Sequence, residues 1–91
     1  MDPLENKMND AQVVTLIQEA LFEVAPSRKA DFEGLTLGAT IEELNLDSIA
    51  TMEMVGFLED KTDNTFPDEE LARVKSVGDL ASLIRHGRVG G

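Results

Sequence analysis

Few side chains in this chain can do chemistry. There is no cysteine and a single histidine, His86, near the C-terminus. A thiolate nucleophile, a disulfide framework and a multi-histidine metal site are therefore excluded. What remains is a serine, Ser48, in the stretch Leu46-Asp47-Ser48-Ile49-Ala50, where a strong helical pattern begins after a long loop. A serine in that position has three chemical readings. It can help cap or begin the helix, as serines commonly do. It can be a nucleophile, but activation requires a base within reach, and only the distal His86 is on offer. It can be a hydroxyl that a separate enzyme modifies, because a phosphodiester there would meet free backbone N–H groups and the positive helix end. The nucleophile is discarded; the residue type alone leaves the other two open.

Such a serine needs a rigid element behind it. The pattern predicts a helix from about Ser48 to about Lys61, with Asp47 as its N-cap. At ~100° per residue, Thr51, Met54, Val55, Leu58 and Thr62 fall on one side, the expected core face. Opposite them stand Ile49, Met52 and Gly56, flanked by Glu53, Glu59 and Asp60. Two apolar side chains pointing outward within a ring of acids are unusual for a plain surface helix.

The remaining elements supply the core. Asn9 with Gln12 reads as a capping box, and Val13, Ile17, Ala20, Leu21 and Val24 follow at three- and four-residue steps until Pro26 forces an end. Ser27 to Leu46 reads as a long connection tacked down by scattered apolar residues. One helical turn is expected within it at Thr40–Leu44, with Thr40 capping and Glu43 reciprocating. Pro67 to Leu71 reads as a short helix with proline at its first position. Ser76 with Asp79 opens a last helix whose stripe is Val77, Leu80, Ala81, Leu83 and Ile84, ended by Gly87. The expectation is an all-α four-helix bundle with a short third helix and a long loop between helices one and two. Residues 1–8 and 88–91 are expected to be flexible ends of a single domain at 9–87.

Charge narrows the partners. Eighteen acids against eight bases give a net charge of −10 over 91 residues. That surface repels phosphate backbones and anionic lipids, so neither nucleic acid nor membrane insertion is expected. A protein with a basic patch is the natural complement. The sequence carries no membrane-span-length apolar run and no signal pattern, so a soluble, cytoplasmic monomer is expected. Asp60 to Thr65 superficially resembles a calcium loop but has Thr65 at the glycine position and Leu71 in place of the closing glutamate, so no metal site is expected.

Leu46-Asp47-Ser48-Ile49 resembles the Asp-Ser-Leu signature of acyl carrier proteins, with isoleucine for leucine. The likeness continues through Met52-Glu53-Met54-Val55, Leu58-Glu59-Asp60, Phe66-Pro67-Asp68-Glu69-Glu70 and Ser76-Val77, and covers about Asp10 to Ile84. The resemblance implies a non-enzymatic carrier with a bundle of the acyl-carrier type. It implies that Ser48 is the attachment point of a 4′-phosphopantetheine arm, transferred from coenzyme A by a separate carrier-protein synthase (a phosphopantetheinyl transferase). The arm's thiol would hold acyl groups as thioesters for fatty-acid, polyketide or specialised pathways.

It also implies that Asp47, Ile49, Met52, Glu53, Gly56, Glu59 and Asp60 form the face recognised by the synthase and by acyl-handling enzymes with basic patches. Met54, Val55 and Leu58 would be placed to line a space for a short acyl chain, or to be plain core. The chain departs from the family pattern at Ala50, where many fatty-acid carriers have an acid, and at Lys61, which leaves room for a specialised pathway. Asp47 argues against a peptidyl carrier, which usually has histidine there, while an aminoacyl cargo stays open. The rival reading is an acidic helical interaction module that uses Ile49 and Met52 without a prosthetic group.

Overall fold

A computed structural model describes residues 8–87. The ends expected to be flexible lie outside those residues, apart from Met8, which is half-buried against the core. Among the described residues there are five α-helices: α1 (Asp10–Val24), α2 (Lys29–Phe32), α3 (Ser48–Thr62), α4 (Asp68–Leu71) and α5 (Val77–His86). Single 3₁₀ turns stand at Pro26–Arg28 and Glu42–Leu44. None of the five helices is long and apolar enough to cross a membrane.

The long helices begin where their side chains satisfy the orphan N–H groups of a first turn. Asn9 and Gln12 close a reciprocal capping box on α1, and Ser76 and Asp79 close one on α5. Val13, Ile17, Ala20 and Leu21 of α1 are buried together with Met54, Val55 and Leu58 of α3 and Val77, Leu80, Ala81, Leu83 and Ile84 of α5. An ion pair between Asp10 and Arg85 ties the start of α1 to the end of α5.

The long connection is more ordered than the sequence suggests. The turn at Glu42–Leu44 forms as expected: Thr40 N–H donates to Glu43 Oε1 at 2.9 Å, and Glu43 N–H donates to Thr40 Oγ1 at 3.1 Å. The α2 helix was not expected. It holds because Phe32 enters the core and because Gln18 of α1 reaches over, donating from Nε2 to the carbonyls of Phe32 (2.8 Å) and Glu33 (3.1 Å).

Further on, the connection lies against the start of α5, where Ile41 N–H donates to Lys75 O at 2.9 Å and Val77 N–H to Ala39 O at 2.8 Å. Gly78 permits this approach, since a Cβ there would stand 3.1 Å from the Leu37 carbonyl oxygen. Pro67 also differs from expectation: it is the N-cap of α4, at ψ 145°, and not its first helical residue.

Candidate functional site

Ser48 is the first residue of α3 and is exposed. Asp47 caps the helix as expected, accepting from Ala50 N–H through Oδ1 at 2.7 Å. Its carbonyl accepts from both Thr51 N–H (3.0 Å) and Thr51 Oγ1 (2.9 Å). The helix therefore starts firmly, and Ser48 has its place fixed by the residues on either side. The N–H groups of Ser48 and Ile49 belong to the first turn and have no acceptor further back in the helix.

The outward face of α3 is as the helical wheel drew it, with one exception. Ile49 is 71% exposed and Met52 70%, and they are the large hydrophobic residues most exposed among those described. Asp47, Glu53, Gly56 and Asp60 are exposed around them. Glu59 differs. It is half-buried, and its Oε2 accepts from Phe66 N–H at 2.7 Å. Phe66 itself is buried. Glu59 thus ties the chain after α3 back onto the helix, which the wheel could not register because the donor lies seven residues downstream.

Behind this face lies a largely apolar cleft of about 260 Å³, lined by Thr51, Met52, Met54 and Val55 of α3, Leu71 and Val74 near α4, Ile41 of the connection and Leu80 of α5. Of the three residues that could either line such a space or be plain core, Met54 and Val55 line it and Leu58 does not. It is fully buried and serves as core filler. Ile41, Leu71 and Val74 were not singled out; they approach the cleft from elements whose packing against α3 no local period encodes. Among the described residues no group of three or more His, Asp or Glu side chains is placed to hold a metal ion.

Residues 11–84 match the family described as the phosphopantetheine attachment site. That span covers most of the chain and contains the whole of α3. The chain belongs to the phosphopantetheine-attachment family.

It is a carrier domain and not an enzyme, and its prosthetic group is phosphopantetheine. Its similarity to acyl carrier proteins runs along most of its length. The acyl carrier protein of Exiguobacterium sibiricum is 33% identical over 78 residues, covering 85% of this chain and 95% of that one. The acyl carrier protein of a second Exiguobacterium is 36% identical over the same shares. A shorter match to the acyl carrier protein of Helicobacter hepaticus reaches 43% over 44 residues, 48% of this chain and 58% of that one. No solved structure matches the chain significantly.

Gly56 stands in the interior of α3, where glycine is a poor helix former. Nothing lies within 4 Å of where its Cβ would be, and it has no unusual backbone angle. Gly56→Ala should therefore stabilise the domain by about 0.5–1 kcal/mol. The melting midpoint should rise by about 2–8 °C. A thermal melt by circular dichroism checks this, and an unchanged or lower midpoint would mean that Gly56 is not an unstrained helix interior position.

Proposed function

We propose that this protein is an acyl carrier protein whose Ser48 hydroxyl receives the 4′-phosphopantetheine arm. The observation that carries the reading is an exposed serine at the first position of α3, inside the span matched by the family. The site fits a phosphodiester. The Ser48 side chain is open to solvent, and the unpaired first-turn N–H groups and the positive helix end complement its negative charge. In the transfer step the Ser48 O–H bond breaks and an O–P bond forms. The proton passes to a base on the synthase, and the nucleotide half of coenzyme A leaves. With no cysteine in the chain, the thiol that bears acyl groups belongs to the arm.

Asp47, Ile49, Met52, Glu53, Gly56 and Asp60 form the docking face for the synthase and for acyl-handling enzymes. Glu59 contributes charge while holding the turn after α3. The cleft behind Met52 exceeds the ~150 Å³ that admits benzene in an engineered core, so it has room for a short acyl chain. The pathway is fatty-acid, polyketide or specialised acyl synthesis, and the domain at 9–87 works as a cytoplasmic monomer.

The test is to incubate the apo protein with coenzyme A and a broad-specificity carrier-protein synthase, then weigh it intact. The expected result is a gain of one phosphopantetheine unit that Ser48→Ala lacks. No gain, under conditions that modify a control carrier, would favour the interaction module without a prosthetic group. The encounter should also be salt-sensitive. Raising ionic strength from about 0.01 to about 1 M shortens the screening length from about 30 to about 3 Å. The modification rate at subsaturating carrier should fall at least about tenfold, as for steered association. A flat salt profile would remove the acidic face from the encounter.

A further inference from the structure

We propose that Arg28 is a positioning residue for Ser48: its guanidinium holds the backbone of Asn45 and so sets where α3 begins. The proposal rests on the reading of Ser48 as the modified residue. The segment leading into Ser48 is short and turns sharply. Asn45 adopts a left-handed conformation, φ 54°, at the end of the Glu42–Leu44 turn, and its N–H donates to Glu42 O at 3.0 Å. Its carbonyl accepts from Arg28 Nη1 at 3.0 Å, across seventeen residues of sequence. Two residues later Asp47 must be placed so that its carboxylate meets Ala50 N–H.

Arg28 can do this because it is itself anchored. Its Nε donates to Asp31 Oδ2 at 3.1 Å, and its guanidinium carbon lies 4.9 Å from the centre of the Phe32 ring. Phe32 is buried, and its carbonyl is held from α1 by Gln18. A continuous set of contacts thus runs from α1 through α2 and Arg28 to the residues before Ser48. Lysine cannot replace the fork. One ammonium on a flexible stem does not reproduce two donors held in a fixed plane toward Asp31 and Asn45.

The experiment compares wild type, Arg28→Lys, Arg28→Ala and Asp31→Asn in the full chain. Two quantities are measured: amide hydrogen exchange at Ala50 and Thr51 by NMR, and kcat and KM for transfer from coenzyme A by a broad-specificity synthase. Arg28→Lys should keep a melting midpoint near wild type. It should lower kcat and speed exchange at Ala50 and Thr51 by about tenfold, the size of one lost charge-assisted hydrogen bond. KM should stay within about twofold, because no docking side chain is replaced and Ile49, Met52, Glu53, Gly56 and Asp60 lie beyond Ser48 along α3, so the change falls chiefly on the placement of the attacking oxygen.

Arg28→Ala should show the same losses with lower stability; should it fail to fold, the lysine variant decides. Asp31→Asn leaves the Asn45 bond in place and should change each quantity much less. Wild-type exchange and kcat in Arg28→Lys would overturn the proposal, whereas an Asp31→Asn effect, of whatever size, reads the strength of the anchor. The exchange measurement does not depend on modification. A wild type that is never modified would defeat the Ser48 reading, while the exchange data would still decide the role of Arg28.

Discussion

Leu58→Ala should destabilise the domain by about 2–5 kcal/mol, the range for truncating a fully buried leucine. Leu58 has no exposed surface, and its helix, α3, packs mainly against α1, so the cavity would open in the middle of the core. A domain of this size has about 5–15 kcal/mol of stability in all, and the variant should sit near the edge of folding. Urea denaturation would show a lower midpoint with an unchanged slope if the native state keeps its compactness. Ile49→Ala on the same helix serves as the contrast. Ile49 is 71% exposed, and its loss should change stability by no more than about 0.5 kcal/mol. Equal destabilisation by the two variants would invert the assignment of core and surface on α3.

The functional effect should fall the other way. Combining Ile49→Ala with Glu53→Lys removes an exposed apolar contact and reverses an exposed charge about one turn beyond Ile49. Charge reversal at an interface rim acts chiefly on association, and loss of an apolar anchor on dissociation. Together they should lower kcat/KM for modification by about 10- to 100-fold at low salt, one to two powers of ten in barrier terms. The melting midpoint should stay within a few degrees of wild type. Because one attractive charge has become repulsive, the variant's rate should also fall less steeply with added salt than that of wild type. Kinetics across a salt series, beside a thermal melt, check both statements. A wild-type rate in the folded double variant would show that this face does not dock.

How much of this the sequence disclosed depends on the range of the interactions involved. The helices α1, α3 and α5 were legible because their caps are local. Asn9 with Gln12, Asp47 with Ala50 and Ser76 with Asp79 each act within three residues. The same holds for the Thr40–Glu43 box inside the connection. The outward setting of Ile49 and Met52 followed from the 3.6-residue period alone.

What escaped was decided at a distance. Helix α2 has four residues and one buried side chain, too few for a period to register, and its support comes from Gln18 fourteen residues earlier. Glu59 falls on the outward side of the wheel, yet it is half-buried because the chain folds back to place Phe66 N–H on it. Leu58 and Met54 share a helix face, yet only Met54 reaches the cleft, because the opposite wall comes from Ile41, Leu71 and Val74. Arg28 gave no local signal, as its acceptor, Asn45 O, lies seventeen residues on.

The most direct measurement is to find where the added group sits. After incubation with coenzyme A and the synthase, the protein would be digested and its peptides sequenced by tandem mass spectrometry. The whole phosphopantetheine gain should lie on the peptide containing Ser48, at that residue, with Ser27, Ser76 and Ser82 unmodified. A gain at any other hydroxyl would contradict the assignment to Ser48.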